Sequence, residues 1–344
     1  MDHKSKFLIV GSNSPYAIER YYVQGFKKLG VECSSFWTQG PFLEYYNKNL
    51  LNKILYRIGL SSILKNINAD LFKYFLAYKP KVIVVFKGLE IYPSTLQKFK
   101  DYGSKIVNYN PDHPFSFHGR GSGNRLTLQS IPLYDIYITY SKKIESDLKL
   151  KYNVKTSWLP FGFNRTDKEN KLVLSEKEQL KLCFIGMPDS ERASILKLYA
   201  ENKIPVVIYG KGWDKFVRNG EFLEVKDAVY NEDYDALIGS YRIQLNLFRP
   251  HNKDSHNMRS FEVPANGGIM LAPDTIEHRL FFENEKEVFL FNNHEDGVKK
   301  AKLLLGMERE EANEIRKRAH TKCVAQKYDY AQRTQELIDI TEDV

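Results

Sequence analysis

The segment 256–268, HNMRSFEVPANGG, has the residue types and the spacing to hold a nucleoside diphosphate. Arg259 and Glu262 stand three positions apart, so they would share one face of a helix. An arginine near a helix start can bind a diphosphate through two parallel N–H groups. A carboxylate can accept hydrogen bonds from both hydroxyls of a ribose. We therefore predict a nucleotide-binding helix, with a surface ion pair as the alternative interpretation.

Two glycine turns that follow apolar segments favour an anion in the same way. KLCFI (181–185) ends at Gly186 and leads to a helix start that Ser190 can cap, where free N–H groups attract negative charge. PVVIY (205–209) ends at Gly210, and the Lys211 cation suits a diphosphate while Trp213 could pack on a flat ring. Each turn alone also fits an ordinary strand-to-helix connection. The residues predicted to bind the nucleotide are Gly186, Arg192, Gly210, Lys211, Arg259, Glu262, Gly267 and Gly268.

A carboxylate and an imidazole follow another strand-like segment, 105–109, in the turn NPDHP. The carboxyl ends of parallel strands are where α/β proteins build their sites. Asp112 and His113 could therefore deprotonate a hydroxyl group. The alternative is an Asx-type turn with a hydrogen-bonded histidine.

Two loops complete the candidate residues of the first half. The turn GSNSP after the first strand lacks the G-x-G-x-x-G pattern, which argues against dinucleotide binding there. The glycine-rich basic loop Gly119–Arg125 could touch an anionic substrate, or it is an ordinary surface loop. The residues predicted to face that second substrate are Asn13, Asp112, His113 and Arg120.

Apolar strand-like segments alternate with segments of helical periodicity in both halves of the chain. KVIVVF (81–86) is apolar almost throughout, as expected of a strand buried in a parallel sheet. The alternation predicts an α/β fold with two Rossmann-like domains that face a cleft. The predicted domains are residues 1–165 and 176–318, followed by a C-terminal helix, 319–344, that can cross back to the first domain. Two helices are predicted between Phe42 and Tyr78.

The composition and charge exclude several classes of protein. The 344 residues are 42% hydrophobic and 27% charged, which is typical of globular proteins. Three cysteines do not make a disulfide framework or a zinc site, and no apolar run is long enough for a secretory leader or a membrane span. We expect a cytoplasmic protein. Residues 1–170 contain 25 Lys and Arg against 13 Asp and Glu, whereas residues 171–344 contain 26 against 30. A basic half indicates an anionic partner or the lysine bias of an AT-rich genome.

Several segments of the second half resemble the C-terminal region of GT-B glycosyltransferases. These are RSFEVPANGGIMLAP, LFFENEKEVFLF, FIGMPDSERASIL and WLPFGFN, and the resemblance covers roughly residues 156–335. The pattern R-x-F-E-x-x-x-x-G-G is similar to that of the CgeB-like glycosyltransferases. The resemblance implies that the C-terminal domain binds a nucleotide-sugar and that Glu262 holds its ribose. The related E-x7-E pattern would place a glutamate at position 254, where this chain has Asp254.

The resemblance implies transfer of a sugar from a nucleotide-sugar to a hydroxyl acceptor, in bacterial cell-surface glycan synthesis, with no metal and no cofactor. Lys211 and Arg259 would stabilise the leaving diphosphate, and Asp112 or His113 would act as the base if the anomeric centre is inverted. The expected partners are the donor, a glycan or lipid-linked acceptor and an anionic membrane surface that the basic half contacts; no nucleic acid is expected. The alternatives are a nucleotide-sugar epimerase or hydrolase of the same fold, or a non-catalytic nucleotide-sugar-binding protein.

Overall fold

The computed structural model describes residues 6–15, 17–115, 123–164, 172, 174, 177–229, 232–249 and 254–342. The chain divides into two compact units. Unit 1 contains Met1–Pro160 and Tyr330–Val344, and unit 2 contains Phe161–Asp329. The predicted boundary at residue 318 falls inside a continuous helix, Arg309–Ala325, which belongs as a whole to unit 2.

Unit 1 is built on a six-stranded sheet in which all neighbouring strands are parallel. The strand order is β2-β1-β3-β4-β5-β6. The strands are β1 (Phe7–Gly11), β2 (Cys33–Trp37), β3 (Val82–Phe86), β4 (Lys105–Asn110), β5 (Ile136–Thr139) and β6 (Thr156–Trp158). Every residue of β3 is buried, because helices cover both faces of a parallel sheet.

The helices of unit 1 include the last helix of the chain. They are α1 (Ile18–Lys28), α2 (Gln39–Lys48), α3 (Leu50–Arg57), α4 (Ile63–Tyr78), α5 (Pro93–Asp101), α6 (Arg125–Ser130), α7 (Lys142–Tyr152) and α14 (Tyr330–Glu342). Helix α14 packs closely on α1, since a Cβ atom added at Gly25 would lie 2.0 Å from Thr334 Oγ1. The C-terminal helix therefore completes the N-terminal unit.

Unit 2 has a second parallel six-stranded sheet, with the order β12-β11-β10-β7-β8-β9. Its strands are β7 (Gln179–Ile185), β8 (Val206–Tyr209), β9 (Leu223–Lys226), β10 (Tyr241–Leu245), β11 (Met270–Pro273) and β12 (Phe289–Phe291). Its helices are α8 (Ser190–Glu201), α9 (Glu232–Ser240), α10 (Arg259–Ala265), α11 (Ile276–Phe281), α12 (His294–Gly306) and α13 (Arg309–Ala325). The two sheets confirm the predicted α/β class with two Rossmann-like units.

The local predictions differ from the structure in three places. The segment 42–78 contains parts of three helices rather than two, because Asn49 ends α2 and caps α3 through its side chain. The short edge strands β9 and β12 were not predicted, since three or four residues carry little periodicity. The cap of α8 is Asp189 rather than Ser190, and its carboxylate accepts the backbone N–H of Arg192 at 2.8 Å.

Helix α10, the predicted nucleotide-binding helix, is held at its two ends by a buried histidine, His278, and a partly exposed one, His320. Ser260 Oγ lies 2.8 Å from His278 Nε2, and His278 Nδ1 lies 2.9 Å from the carbonyl oxygen of Pro273. Since a carbonyl only accepts, Nδ1 carries the proton and Nε2 accepts the serine hydroxyl. At the other end His320 Nδ1 donates to the carbonyl of Ala265 at 2.7 Å. The seven-residue helix is thus fixed by its neighbours.

Within the part of the chain that the structure describes, no helix is both long and apolar enough to cross a membrane.

The buried His278 should make unit 2 sensitive to acid. Burial lowers the pKa of His278 from 6.5 to about 4. The unfolded chain therefore binds a proton more readily than the folded one. The neutral His278 side chain therefore stabilises the folded state fully above pH 6.5, its pKa in the unfolded chain. This contribution to the free energy of unfolding is lost as the pH falls from 6.5 towards 4. The expected loss is about 1.4 kcal/mol for each pH unit, or about 3 kcal/mol in total.

Denaturant unfolding at several pH values measures this loss. In a Trp37→Phe, Trp158→Phe background the buried Trp213 of unit 2 becomes the sole tryptophan reporter. The free energy of unfolding should fall less steeply with acid in His278→Asn than in the parent. Replacement of the exposed His294 by asparagine is the matched control. Parallel slopes for the parent and His278→Asn would contradict the assignment.

Candidate functional site

The reversal of strand order in the second sheet lies between β7 and β10, the point where ligands bind in open α/β sheets. One side chain joins the loops that follow these two strands. Arg192 Nη1 donates to the carbonyl of Met187 at 3.1 Å, and Nη2 donates to the carbonyl of Leu247 at 2.9 Å. Arg192 is 7% exposed, so its guanidinium serves the backbone of both loops.

The charges of two other guanidinium groups act on Arg192 at this edge of the sheet. Burial, together with the positive charges of Arg259 and Arg249, lowers the pKa of the Arg192 guanidinium to about 10. The negative charges of Asp189 and Glu191 oppose this lowering of the Arg192 pKa. The buried Nε of Arg259 has no hydrogen-bond partner among the described residues. Clustered cations with an unused donor are the arrangement that attracts a polyanion such as a diphosphate.

Glu262 lies on α10, one turn beyond Arg259, as the three-residue spacing predicted. The hydroxyl of Tyr234 donates to its Oε2 at 2.9 Å. Burial raises the pKa of the Glu262 carboxyl, while the charge of Arg259 and the Tyr234 hydrogen bond oppose that rise. A carboxylate with one oxygen already bound retains the capacity to accept hydroxyl groups at the other.

The turns after β7 and β8 touch each other. A Cβ atom added at Gly210 would lie 2.1 Å from the carbonyl oxygen of Gly186 and 2.7 Å from Trp213 Nε1. The Trp213 indole donates to that same carbonyl at 2.8 Å and is fully buried. The expectation that Trp213 packs on a ligand ring is therefore wrong, because it fills the space beneath the two turns. Lys211 is exposed in the turn after β8.

Gly267 and Gly268 have a structural reason to be glycine. Gly267 has a left-handed φ of 74°, and its added Cβ would lie 2.6 Å from Leu172 Cδ1. A Cβ atom on Gly268 would lie 2.6 Å from Ile238 and 2.8 Å from Val263. Both glycines are buried and end α10, so close packing explains this part of the predicted nucleotide-binding set.

In unit 1 the predicted acid–base residues lie in the loop after β4. The backbone N–H of Asp112 donates to Asn110 Oδ1 at 3.0 Å, which is the Asx-type turn of the alternative interpretation. The Asp112 carboxylate pairs with Lys87 Nζ at 2.5 Å, and His113 Nδ1 accepts the N–H of Phe115 at 3.3 Å. Asn13 is exposed after β1, and Arg120 lies outside the described residues.

Two buried carboxylates near the β1–β3 reversal were missed from the sequence. Glu90 follows β3 and is 7% exposed, and its Oε2 accepts the Thr38 hydroxyl at 3.0 Å. Burial raises its pKa to about 7. Glu19 Oε1 accepts the N–H of Ser12 at 3.0 Å, and burial raises the pKa of Glu19 as well. Glu90 could have been found by the same signal as Asp112, because each is a carboxylate that follows a parallel strand. Arg249 could have been found in a similar way, since it is a charged residue that follows β10.

Among the described residues no group of three or more His, Cys, Asp or Glu side chains is placed to hold a metal ion.

The chain is similar in fold to solved structures along nearly its whole length. Sucrose-phosphate synthase (tll1590) from Thermosynechococcus elongatus has a TM-score of 0.70 at 12% identity, with 98% of each chain covered. A glycosyltransferase from Rickettsia africae has 0.65 at 15% identity, with 99% of each covered. Alr3699/HepE from Anabaena, in complex with UDP, has 0.61 at 10% identity, covering 98% of this chain and 100% of that one.

Sequence comparison identifies the second half of the chain. No curated protein matches it in sequence. Residues 192–339 match the model of a family described as glycosyl transferase-like, and this range contains Arg192, Arg249, Arg259 and Glu262. The whole chain thus has the two-unit α/β fold of these solved structures, and its residues 192–339 belong to the glycosyl transferase-like family.

Proposed function

We propose that the protein transfers a sugar from a nucleoside-diphosphate sugar to a hydroxyl group of a glycan or lipid-linked acceptor, in bacterial cell-surface glycan synthesis on the cytoplasmic side of the membrane. Unit 2 would bind the donor and unit 1 the acceptor. The observation that supports this most is the set of three arginines at the β7–β10 reversal, with an unused buried donor on Arg259. UDP, which is bound by the Anabaena protein of similar fold, is the first nucleotide to test.

On the donor side, Arg259, Arg249 and the exposed Lys211 would contact the diphosphate. As the bond to the sugar breaks, negative charge grows on the leaving diphosphate, and preorganised cations stabilise that charge more than they stabilise the ground state. We propose that these side chains do so without a metal ion. Arg192 is a positioning residue, because its N–H groups hold the two loops from which the contacts come.

Glu262 would accept hydrogen bonds from the ribose hydroxyls, with Tyr234 fixing the orientation of the carboxylate. Gly186 and Gly210 would let the two turns lie against each other beside the donor, since a Cβ atom at Gly210 would lie 2.1 Å from the carbonyl oxygen of Gly186. Gly267 and Gly268 would not touch the donor; their close packing ends α10 just after Glu262 and so helps to position that side chain.

On the acceptor side, the side chains after β1, β3 and β4 supply the acid–base chemistry. In an inverting reaction a base removes the proton of the acceptor hydroxyl. Asp112 and His113 remain candidates, and Glu90 joins them because a pKa of about 7 suits proton transfer near neutral pH. In a retaining reaction that proceeds on one face of the sugar, no protein base is needed and these residues would orient the acceptor.

Turnover of nucleotide-sugars with and without an acceptor tests the proposed function. Release of the nucleoside diphosphate that requires an acceptor supports transfer, and unchanged turnover in EDTA supports the role of the protein cations. Donor consumption without any acceptor would instead indicate an epimerase or hydrolase. Tight binding of a nucleotide-sugar with no turnover under either condition would indicate a binding protein.

Replacement of Glu262 should weaken nucleotide binding with little effect on the fold. Hydrogen bonds to a charged group contribute about 1.5–3 kcal/mol, so Glu262→Ala should raise the Kd for UDP about 10- to 100-fold. Isothermal titration measures the change, with the exposed Glu221→Ala as the matched control. Tyr234→Phe removes a hydrogen bond that lowers the pKa of Glu262, so the carboxylate should become protonated at a higher pH in this variant. As the pH is lowered, the variant should therefore lose affinity for UDP earlier than the parent does. Unchanged affinity of Glu262→Ala for every nucleotide that the parent binds would rule out the ribose contact.

Replacement of Arg259 should affect the chemical step. Loss of one preorganised donor costs on the order of 10²-fold or more in kcat, so Arg259→Ala should lower kcat at saturating donor by that factor. The exposed Arg218→Ala is the matched control for removal of one arginine from unit 2. A rise in KM with kcat unchanged would show that Arg259 binds the donor equally in the ground state and the transition state.

A further inference from the structure

Helix α3 of unit 1 has no buried residue. Large aliphatic side chains are exposed on it and on the turn that follows. The exposed fractions are 71% for Leu50, 61% for Leu51, 46% for Ile54, 59% for Ile58 and 72% for Leu60. Residues 50, 54 and 58 recur at the helical spacing of four, with residue 51 beside them, so they form one stripe. Single exposed apolar residues are ordinary on a protein surface, whereas a contiguous group marks an interaction site.

The orientation of this stripe is set by the opposite face of α3. The ring of Tyr56 packs edge-on against Phe42 and Tyr46 of α2, with centroid distances of 5.0 and 5.7 Å. At the N-terminus, Asn49 Oδ1 accepts the N–H of Asn52 at 2.8 Å, and Asn52 Nδ2 donates to the carbonyl of Tyr45 at 2.8 Å. These contacts anchor α3 to α2 through one face and leave the aliphatic stripe outward.

The charge around the stripe is of one sign. The segment 48–65, KNLLNKILYRIGLSSILK, contains four basic residues and no acidic residue. Lys48, Arg57 and Lys65 are exposed, and Lys53 is partly exposed. An apolar stripe flanked by cations is the pattern of a helix that lies in the headgroup region of an anionic bilayer. The same charges disfavour a second copy of the chain, because a face-to-face pair would bring eight cations together.

We propose that the segment 48–65, with α3 at its centre, is a docking surface for an anionic lipid membrane. The aliphatic stripe enters the boundary between headgroups and acyl chains, and the flanking Lys and Arg side chains contact lipid phosphates. This proposal rests on the proposed function, because a membrane-bound transferase could reach a lipid-linked acceptor at the membrane surface. It narrows the expected membrane contact of the basic half to one helix and its neighbouring turn.

Co-sedimentation of the full chain with lipid vesicles tests the proposal. The protein should bind vesicles that contain phosphatidylglycerol and bind pure phosphatidylcholine vesicles far more weakly. Binding should decline as the ionic strength rises from about 0.01 to 0.1 M, because the Debye length then shortens from about 30 to about 10 Å. Equal binding to both kinds of vesicle, or no binding at low salt, would overturn the proposal.

Variants separate this helix from the charge of the unit as a whole. Each basic residue at a membrane surface changes the partition coefficient about fivefold, so Lys53→Ala with Arg57→Ala should lower it about 25-fold. Leu50→Ser with Leu51→Ser and Ile54→Ser should abolish binding. The matched control is Lys27→Ala with Leu150→Ser, which removes an exposed lysine and an exposed leucine of unit 1 elsewhere. Vesicle binding unchanged in both α3 variants would refute the role of α3.

Two further measurements keep the outcomes distinct. Circular dichroism and UDP titration of each variant should match the parent, which separates loss of docking from loss of folding or donor binding. Sedimentation equilibrium without lipid should show no concentration-dependent association that depends on Leu50 and Leu51; such association would identify a second copy as the occupant and overturn the lipid assignment. A chain that binds vesicles and transfers no sugar would refute the proposed function while leaving the docking surface in place.

Discussion

The buried guanidinium of Arg192 connects the two loops that carry the proposed donor site. A buried cation is costly unless it is paired; here Nη1 and Nη2 donate to the backbone carbonyls of Met187 and Leu247, and Asp189 Oδ2 lies 3.5 Å from Nε. Separation of the loops after β7 and β10 would break these hydrogen bonds and leave the buried charge of Arg192 without partners. Arg249 follows one of these loops directly, and Arg259 adds its charge to the same place. Arg192 thus positions the two loops, while the charges of Arg249 and Arg259 are available to attract an anion.

Helix α10 shows why positioning must come from tertiary contacts. Seven residues are too few for a helix to be stable by itself, and Pro264 lies inside it. His278 holds its first turn and His320 binds the carbonyl of its last residue, Ala265, while Tyr234 binds the Glu262 carboxylate. Burial keeps the His278 imidazole neutral, so Nε2 can accept the Ser260 hydroxyl. The placement of Arg259 and Glu262 follows from these three contacts.

The two units repeat one architectural plan with opposite local charge. The reversal of strand order in unit 2 collects arginines, whereas the reversal in unit 1 collects the carboxylates of Glu19 and Glu90 beside the Lys87–Asp112 pair. The net charge of each whole unit has the other sign: unit 1 contains 24 Lys and Arg against 15 Asp and Glu, and unit 2 contains 27 against 28. Net charge therefore describes the outer surface of each unit, such as the basic residues around α3, and not the ends of its strands.

The sequence by itself determined the fold class, most strand positions and one local pair of candidate site residues. Apolar runs and glycine turns identified β3, β7 and β8, and Arg259 and Glu262 were found because a three-residue spacing is a property of one helix. Only the tertiary structure decided that the charge of Arg249 acts on Arg192, that Tyr234 binds Glu262, that Trp213 is buried and that Glu90 lies beside Thr38. These groups are far apart along the chain, and the order of strands in the sheet brings them together. Local periodicity records which face of an element is apolar, but it carries no information about which element will lie beside it.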